Sequence, residues 1–283
     1  MRVVITSVLS ALLVPLTTSL AQQSHPMDRL DMTTWSVIAA DAKTGDVGIA
    51  MASCVANTLA DGLAALVPGK GVAATQAAFD IDNRNRVFNA LKEGASADEV
   101  IRRISDPATD PKLGSRQYGV VTISGGVAHT AGFTGKPMLD GDTTGGTHWA
   151  SVHGDASRGV SVEGNTLASK QVIENALAAF EWDDPTGFNQ LSDRLIRAVE
   201  AGSAAGGDVR CNNATTRQTA ATAMILVARG TDQPYAAEKI GMSDQGTPNA
   251  PWLAISVTVE KGGDNPLLEL RKRYDAWRRG AKP

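Results

Sequence analysis

Residues 32–53, MTTWSVIAADAKTGDVGIAMAS, decide the fold. Two β-capable runs, TWSVIAAD and VGIAMAS, flank the Gly-containing turn AKTGD, the pattern of a β-hairpin. Both runs are almost continuously apolar, so these strands are expected to be covered on both faces. GVAATQA (71–77) reads as a third strand. YGVVTIS and VAHTAGF, joined by Gly125-Gly126, form a second hairpin, and VSVEGN is a short strand ending at Gly164-Asn165. TAATAMILVAR and PWLAISVTVE are the last two strands.

Helices separate these groups. NRNRVFNALKEG (83–94) puts Val87, Ala90 and Leu91 on one face and stops at Gly94. Ser96-Ala97-Asp98-Glu99 is a capping box opening the next helix. SKQVIENALAAFEW and FNQLSDRLIRAVEAG are amphipathic, the second ending at Gly202, and NPLLELRKRYDAWRRG closes the chain. GDTTGGTHWASVHGDASRG reads as a loop. Hairpins argue for antiparallel pairing, and segregated helices argue for layers. The expected class is α+β: two stacked antiparallel sheets with helices covering the outside.

The first 21 residues read as a signal peptide. Arg2 precedes an apolar run, and Ser19-Leu20-Ala21 fits a small-x-small cleavage site. Residues 22–32 then form a flexible lead-in, and 33–283 a single domain. The exported chain carries 26 basic against 30 acidic side chains, which offers no basic surface for nucleic acid. Once the signal is removed no membrane span is expected. Cys54 and Cys211 are the two cysteines, and in an oxidising compartment they can form a disulfide or remain as two thiols.

Several polar residues stand where chemistry would need them. Asn165, after Gly164 at a strand end, is a candidate oxyanion donor, against a turn-capping role. Asp208 and Arg210 are spaced to point the same way on a strand; they orient substrate or pair with each other. Gln76 and Gln218 are amides in strand-like segments, where substrate contact competes with core hydrogen bonding. His129 is a strand histidine that can serve as a base or be structural. His148 and His153 lie in a loop with Asp140, Asp142 and Asp155, but the spacing fits no zinc pattern and no metal site is expected. Walker and Rossmann motifs are missing from the sequence, so no cofactor is expected.

The series TWSVIAADAKTGDVGIAMAS, GVAATQA, AHTAG, VEGN, AGSAAGGDVR…RQTAA and PWLAISVTVEKGGDNPLLELRKRYDAW resembles an uncharacterised, largely bacterial family, domain of unknown function 1028, over about residues 33–280. That family is grouped with the N-terminal-nucleophile (Ntn) hydrolases, so the resemblance implies the four-layer αββα fold; no settled reaction comes with it. It implies Thr34 as the leading residue, the nucleophile of an Ntn enzyme, with its own freed α-amine as base. It also implies a polar neighbour at Ser53, and Ser36 shares the face of Thr34 by the two-residue period. Cleavage after Ala21 leaves residues 22–33 ahead of Thr34, so a second cut is required, at Met32–Thr33 or Thr33–Thr34. The implied activity is cleavage of an amide or related acyl bond in a small-molecule or peptide substrate. The alternatives are a non-catalytic ligand-binding module on the same fold, or an enzyme using an internal base such as His129. A homo-oligomer stays open.

Overall fold

The computed structural model describes residues 31–32, 34–55, 60–136, 149–155, 158–212, 214–236 and 250–280. The signal sequence, Thr33, Asp140, Asp142 and His148 lie outside them. In chain order the strands are β1 (Asp31–Met32), β2 (Thr34–Ala40), β3 (Val47–Ser53), β4 (Ala64–Val67) and β5 (Gly71–Ala78). Helices α1 (Ile81–Glu93) and α2 (Ala97–Ile104) follow, then β6 (Arg116–Ser124), β7 (Val127–Thr134), β8 (Trp149–Asp155) and β9 (Val160–Leu167). Helices α3 (Gln171–Glu181) and α4 (Leu191–Ala204), strands β10 (Thr222–Ala228) and β11 (Leu253–Thr258), and helix α5 (Pro266–Arg278) complete the described chain.

The strands make two sheets in which every pairing is antiparallel. One runs β11-β10-β3-β2-β9-β8; the other runs β1-β5-β6-β7, with β4 also on β5. Alternation along each strand sorts side chains to opposite faces. Trp35, Val37 and Ala39 of β2 face outward into a core shared with α3, α4 and α5. Ile38 and Ala40 face inward, against Val72, Ala74 and Val121 of the second sheet. The outer face of that sheet packs Ala73, Tyr118 and Val120 against Val87, Leu91, Val100 and Ile104 of α1 and α2. Three stacked cores make four layers, helix–sheet–sheet–helix, as the element order predicts.

Local chemistry explains the boundaries. Asp80 caps α1 by accepting from the backbone N–H groups of Asp82 and Asn83, and Gly94 ends it in the left-handed region at φ 83°. Ser96 caps α2, but Glu99 does not return to the cap; its carboxylate bonds Arg102 and Arg103 instead. Asn265 caps α5 ahead of Pro266 at its first turn.

Other expectations also need correction. Helix α4 runs through Gly202 to Ala204; the glycine there is a packing residue and not a helix stop, since a Cβ would stand 2.6 Å from Trp35 Nε1. The stretch read as a loop contains β8, which pairs with β9 at the sheet edge through a register shift between Trp149 and Ser151. Sequence reading also missed β4, whose AALV is too short to show a period. The end of the lead-in is not free: Asp31 and Met32 pair with Ala78 and Ala77 of β5.

Candidate active site between the sheets

The inner face of β2 changes character along its length. Ile38 and Ala40 belong to the apolar core, whereas Thr34 and Ser36 lie buried at the other end. Neighbouring strands follow suit. Thr34 pairs with Ser53 of β3, Ser53 with Thr222 of β10, and Thr222 with Thr258 of β11. On the other flank Trp35 pairs with Gly164, so the register, continued by one residue, brings Asn165 opposite Thr34. A transverse polar row therefore crosses the sheet: Thr258, Thr222, Ser53, Thr34, Asn165. One step deeper, Ser36 pairs with Glu163. The facing sheet answers with Gln76, Gln117 and Thr134, which are paired in register across β5, β6 and β7.

These amides form one network whose direction follows from a single backbone group. The carbonyl of Gly164 can only accept, so Gln117 turns Nε2 toward it, at 2.8 Å, and donates to Thr134 Oγ1 at 3.0 Å. Gln117 Oε1 must then accept, and it does so from Gln76 Nε2 at 2.8 Å and Asn165 Nδ2 at 2.9 Å. Gln76 in turn presents Oε1 to the hydroxyl of Ser36, which donates at 2.6 Å. Asn165 Oδ1 is left without a partner among the described residues. The network ties the two sheets together across an interlayer gap of about 10 Å and fixes every amide orientation around Thr34.

Asp208 and Arg210 approach from the adjacent loop. The carboxylate of Asp208 is wholly buried and accepts from Cys54 N at 3.1 Å, from Arg210 N and Nε at 3.0 Å and from Arg210 Nη2 at 2.7 Å. The Cys54–Cys211 disulfide bridges the same two segments. Together they clamp the residue that follows Ser53, and so position the end of β3 beside Thr34. Ser53 Oγ accepts from Val55 N at 3.1 Å, and its carbonyl accepts from Ala221 N at 2.7 Å. A surface cavity of ≈ 530 Å³ opens next to the disulfide, lined by Arg210, Asn212, Gln218 and Lys261 among others. Another, of ≈ 350 Å³, lies at the far end of β2, by Ala40, Arg158 and Arg194.

The structure thus gathers Thr34, Ser36, Ser53, Gln76 and Asn165, with Asp208 and Arg210 behind them. It leaves two candidates outside. His129 is exposed on the outer face of β7, the opposite face from Ala128 and the interlayer core. Gln218 spends its side chain on backbone, donating to Glu260 O at 2.8 Å and accepting from Gly262 N at 2.7 Å, so it pins the turn after β11. Among the described residues no group of three or more His, Cys, Asp or Glu could hold a metal ion.

Sequence reading passed over two residues. Gln117 is the hub of the network. Glu163 is a wholly buried carboxyl; desolvation pushes it well above its ordinary value of 4.5, and a hydrogen bond from Ser161 at 3.1 Å only partly offsets this. Its carboxyl rests on the backbone of Gly119 in the facing sheet, where a Cβ would come within 2.2 Å of Oε2. The signal was available in VSVEGN: a charged residue two before Asn165, on the same face of a strand otherwise fit for burial.

The family described as a family of unknown function, DUF1028, matches residues 34–250. The chain belongs to that family. The match begins at Thr34, the first residue of β2. Among solved structures, protein SPO2555 from Silicibacter pomeroyi, also a DUF1028 protein, superposes with a TM-score of 0.60 at 20% identity, covering 86% of this chain and 88% of that one. That likeness extends to the fold. No curated protein matches.

Proposed function

We propose that this DUF1028 protein is an exported Ntn-type hydrolase that cleaves an amide or related acyl bond with Thr34 as nucleophile. The observation that carries the reading is the position of Thr34. It is the first residue of a central strand, buried between two sheets, and flanked in register by Ser53 and Asn165. After a cut before Thr34, the new α-amine has a reference pKa of about 7.7–8.0 and can take the hydroxyl proton. Thr34 Oγ then bonds to the acyl carbon. The carbon–nitrogen bond breaks, and the leaving amine carries the proton away. Water attacks the resulting ester and restores the hydroxyl. Backbone N–H groups and the second N–H of Asn165 are the donors for the oxyanion, each worth about 3–4 kcal/mol in the transition state. The disulfide supports export, since such bonds persist in oxidising compartments. No described helix is long and apolar enough to cross a membrane.

One observation favours the second reading, a binding module. Asp31 and Met32 pair with β5, which anchors the segment that an Ntn enzyme discards. The intact mass and N-terminal sequence of the exported protein separate the two. A start at Thr34, with labelling by a hydroxyl-directed electrophile that Thr34→Ala abolishes, is the expected result. A stable start upstream of Asp31 sinks the free-amine mechanism, and labelling that persists in Thr34→Ala removes Thr34.

A further inference from the structure

The cavity at the far end of β2 has no part in the Thr34 site. Ala40 and Thr34 stand at opposite ends of that strand, about 20 Å apart in an extended chain. Four segments converge on the cavity: the β2–β3 turn at 40–43, the β6–β7 turn at 126–128, the entry to β9 at 158–159, and the end of α3 with the first turn of α4.

A glycine sets their approach. Gly159 lies in the left-handed region at φ 64°, and a Cβ on it would stand 2.3 Å from the carbonyl oxygen of Ala40. Its own carbonyl accepts from Ala40 N at 2.8 Å. The entry to β9 therefore lies directly on the end of β2 and brings Arg158 to the cavity. On the helical side Arg194 is an anchor. It donates to the carbonyls of Phe180 at 2.9 Å and Asn189 at 3.1 Å, and it pairs with Asp183.

The lining has two characters. Its buried side chains are apolar: Ala40, Ala128 and Phe180. Its charged ones are Lys43, Arg158 and Arg194 against one carboxylate among the described residues, that of Asp41. Asp41 is engaged within its own turn, where it accepts from Lys43 N at 2.8 Å. Lys43 and Arg158 make no hydrogen bond or ion pair with a described residue. An acidic chain, of net charge −3, thus gathers uncommitted positive charge at one concavity. Val127 stands at its lip with 56% of its surface exposed. An apolar hollow with a few placed polar groups is the usual form of a small-molecule site.

We propose that this cavity is a second binding site, for a small molecule with an anionic head and a short apolar body. Arg158 and Lys43 hold the head at the rim, and the body lies between Val127 and the buried Ala128 and Phe180. A carboxylate and a phosphate monoester share the head chemistry, and a guanidinium meets either with two parallel N–H bonds. At ≈ 350 Å³ the space is at the small end for ligand sites and takes a chain of about six carbons. The site does not rest on the hydrolase reading; an enzyme and a binding module can use it alike.

The test is titration of the whole exported protein with hexanoate, hexyl phosphate, hexanol and acetate, followed by calorimetry and amide NMR. Hexanoate or hexyl phosphate should bind saturably and move the amide signals of Gly126, Val127, Ala128 and Gly159. The tighter of the two identifies the head. Hexanol lacks the charge and acetate lacks the body, so each should bind about tenfold more weakly or worse. Arg158→Gln should weaken the preferred probe about tenfold, and Val127→Ser about threefold. Both side chains are exposed, so the thermal midpoint should stay at the wild-type value. The proposal is overturned if neither anion binds saturably, if hexanol or acetate binds as well as the preferred probe, if the shifted signals lie elsewhere, or if Arg158→Gln binds like wild type. The comparison of probes is made on the wild-type protein and stands whatever a variant does. None of these outcomes bears on whether Thr34 is a nucleophile.

Discussion

Replacing Glu163 by Gln should change how stability depends on pH, and in one direction only. In the folded chain Glu163 is wholly buried with one hydrogen bond, from Ser161, and its proton is held well above the ordinary value of 4.5. In the unfolded chain it ionises near that value. Between the two, the folded state binds one more proton than the unfolded state. The stabilisation is therefore complete below the unfolded value and is lost as pH rises toward the folded one. The slope is about 1.4 kcal/mol per pH unit for as long as the folded protein keeps the proton. The carboxamide of the Glu163→Gln variant matches the un-ionised acid in shape and cannot ionise. The two proteins should thus match within about 1 kcal/mol near pH 4, and the variant should gain about 1.4 kcal/mol on wild type for each unit above 4.5. With an m-value of about 3 kcal/mol/M, the urea midpoints should separate by roughly 0.5 M per pH unit. Asp110 has the opposite sense. Burial raises it, but the bonds from Arg116 and the Lys112 backbone win, so its contribution is present above the unfolded value and is lost as pH falls. It is common to both proteins and cancels in the difference. Parallel midpoint curves for wild type and Glu163→Gln would refute the reasoning, since they would mean that Glu163 is ionised in the folded state.

Gly119→Ala should destabilise by about 1–3 kcal/mol, because its Cβ would lie 2.2–2.6 Å from the Glu163 carboxyl; combining it with Glu163→Ala should recover part of the loss in a double-mutant cycle. Reducing the Cys54–Cys211 bond, which spans 157 residues, should cost roughly 2–5 kcal/mol, read as a drop in thermal midpoint with reductant. Tyr274→Phe removes the hydroxyl that bonds Ser192 and Asp193 between α5 and α4, and should cost about 1–2 kcal/mol in urea unfolding. Gln218→Ala should release the 260–262 turn and lower stability by about 1–3 kcal/mol while leaving the Thr34 network intact, as judged by unchanged electrophile labelling.

The layers were legible because each depends on a local pattern. Strands covered on both faces read as apolar runs, and TWSVIAA and VGIAMAS are buried at every position. The cap at Ser96 obeys a rule that spans three residues. Elements decided by tertiary contact escaped. AALV pairs with β5, and position 202 needs a glycine inside its helix because Trp35 fills the space a Cβ would take. The lead-in reads as featureless, yet Asp31 and Met32 take up the remainder of the β5 edge beyond β4.

The site divides in the same way. The two-residue period put Thr34 and Ser36 on one face, and Gly164-Asn165 at a strand end pointed to the cleft. No local rule could say which sheet Gln117 faces, or that the Gly164 carbonyl dictates the sense of each amide beyond it. That carbonyl turns Asn165 so that Nδ2 gives one N–H to Gln117 and Oδ1 has no partner among the described residues. An Asn read from sequence as a donor is thus only half described. Its Nδ2 holds the two sheets together through Gln117, and its Oδ1 is a buried acceptor. Two residues upstream, burial raises the Glu163 carboxyl well above its ordinary value. A carboxyl in a strand looks like a solvent-facing charge until the facing sheet is known to carry glycine at position 119. Asn165 and Glu163 therefore acquire their chemistry from the second sheet, whichever of the two functional readings Thr34 obeys.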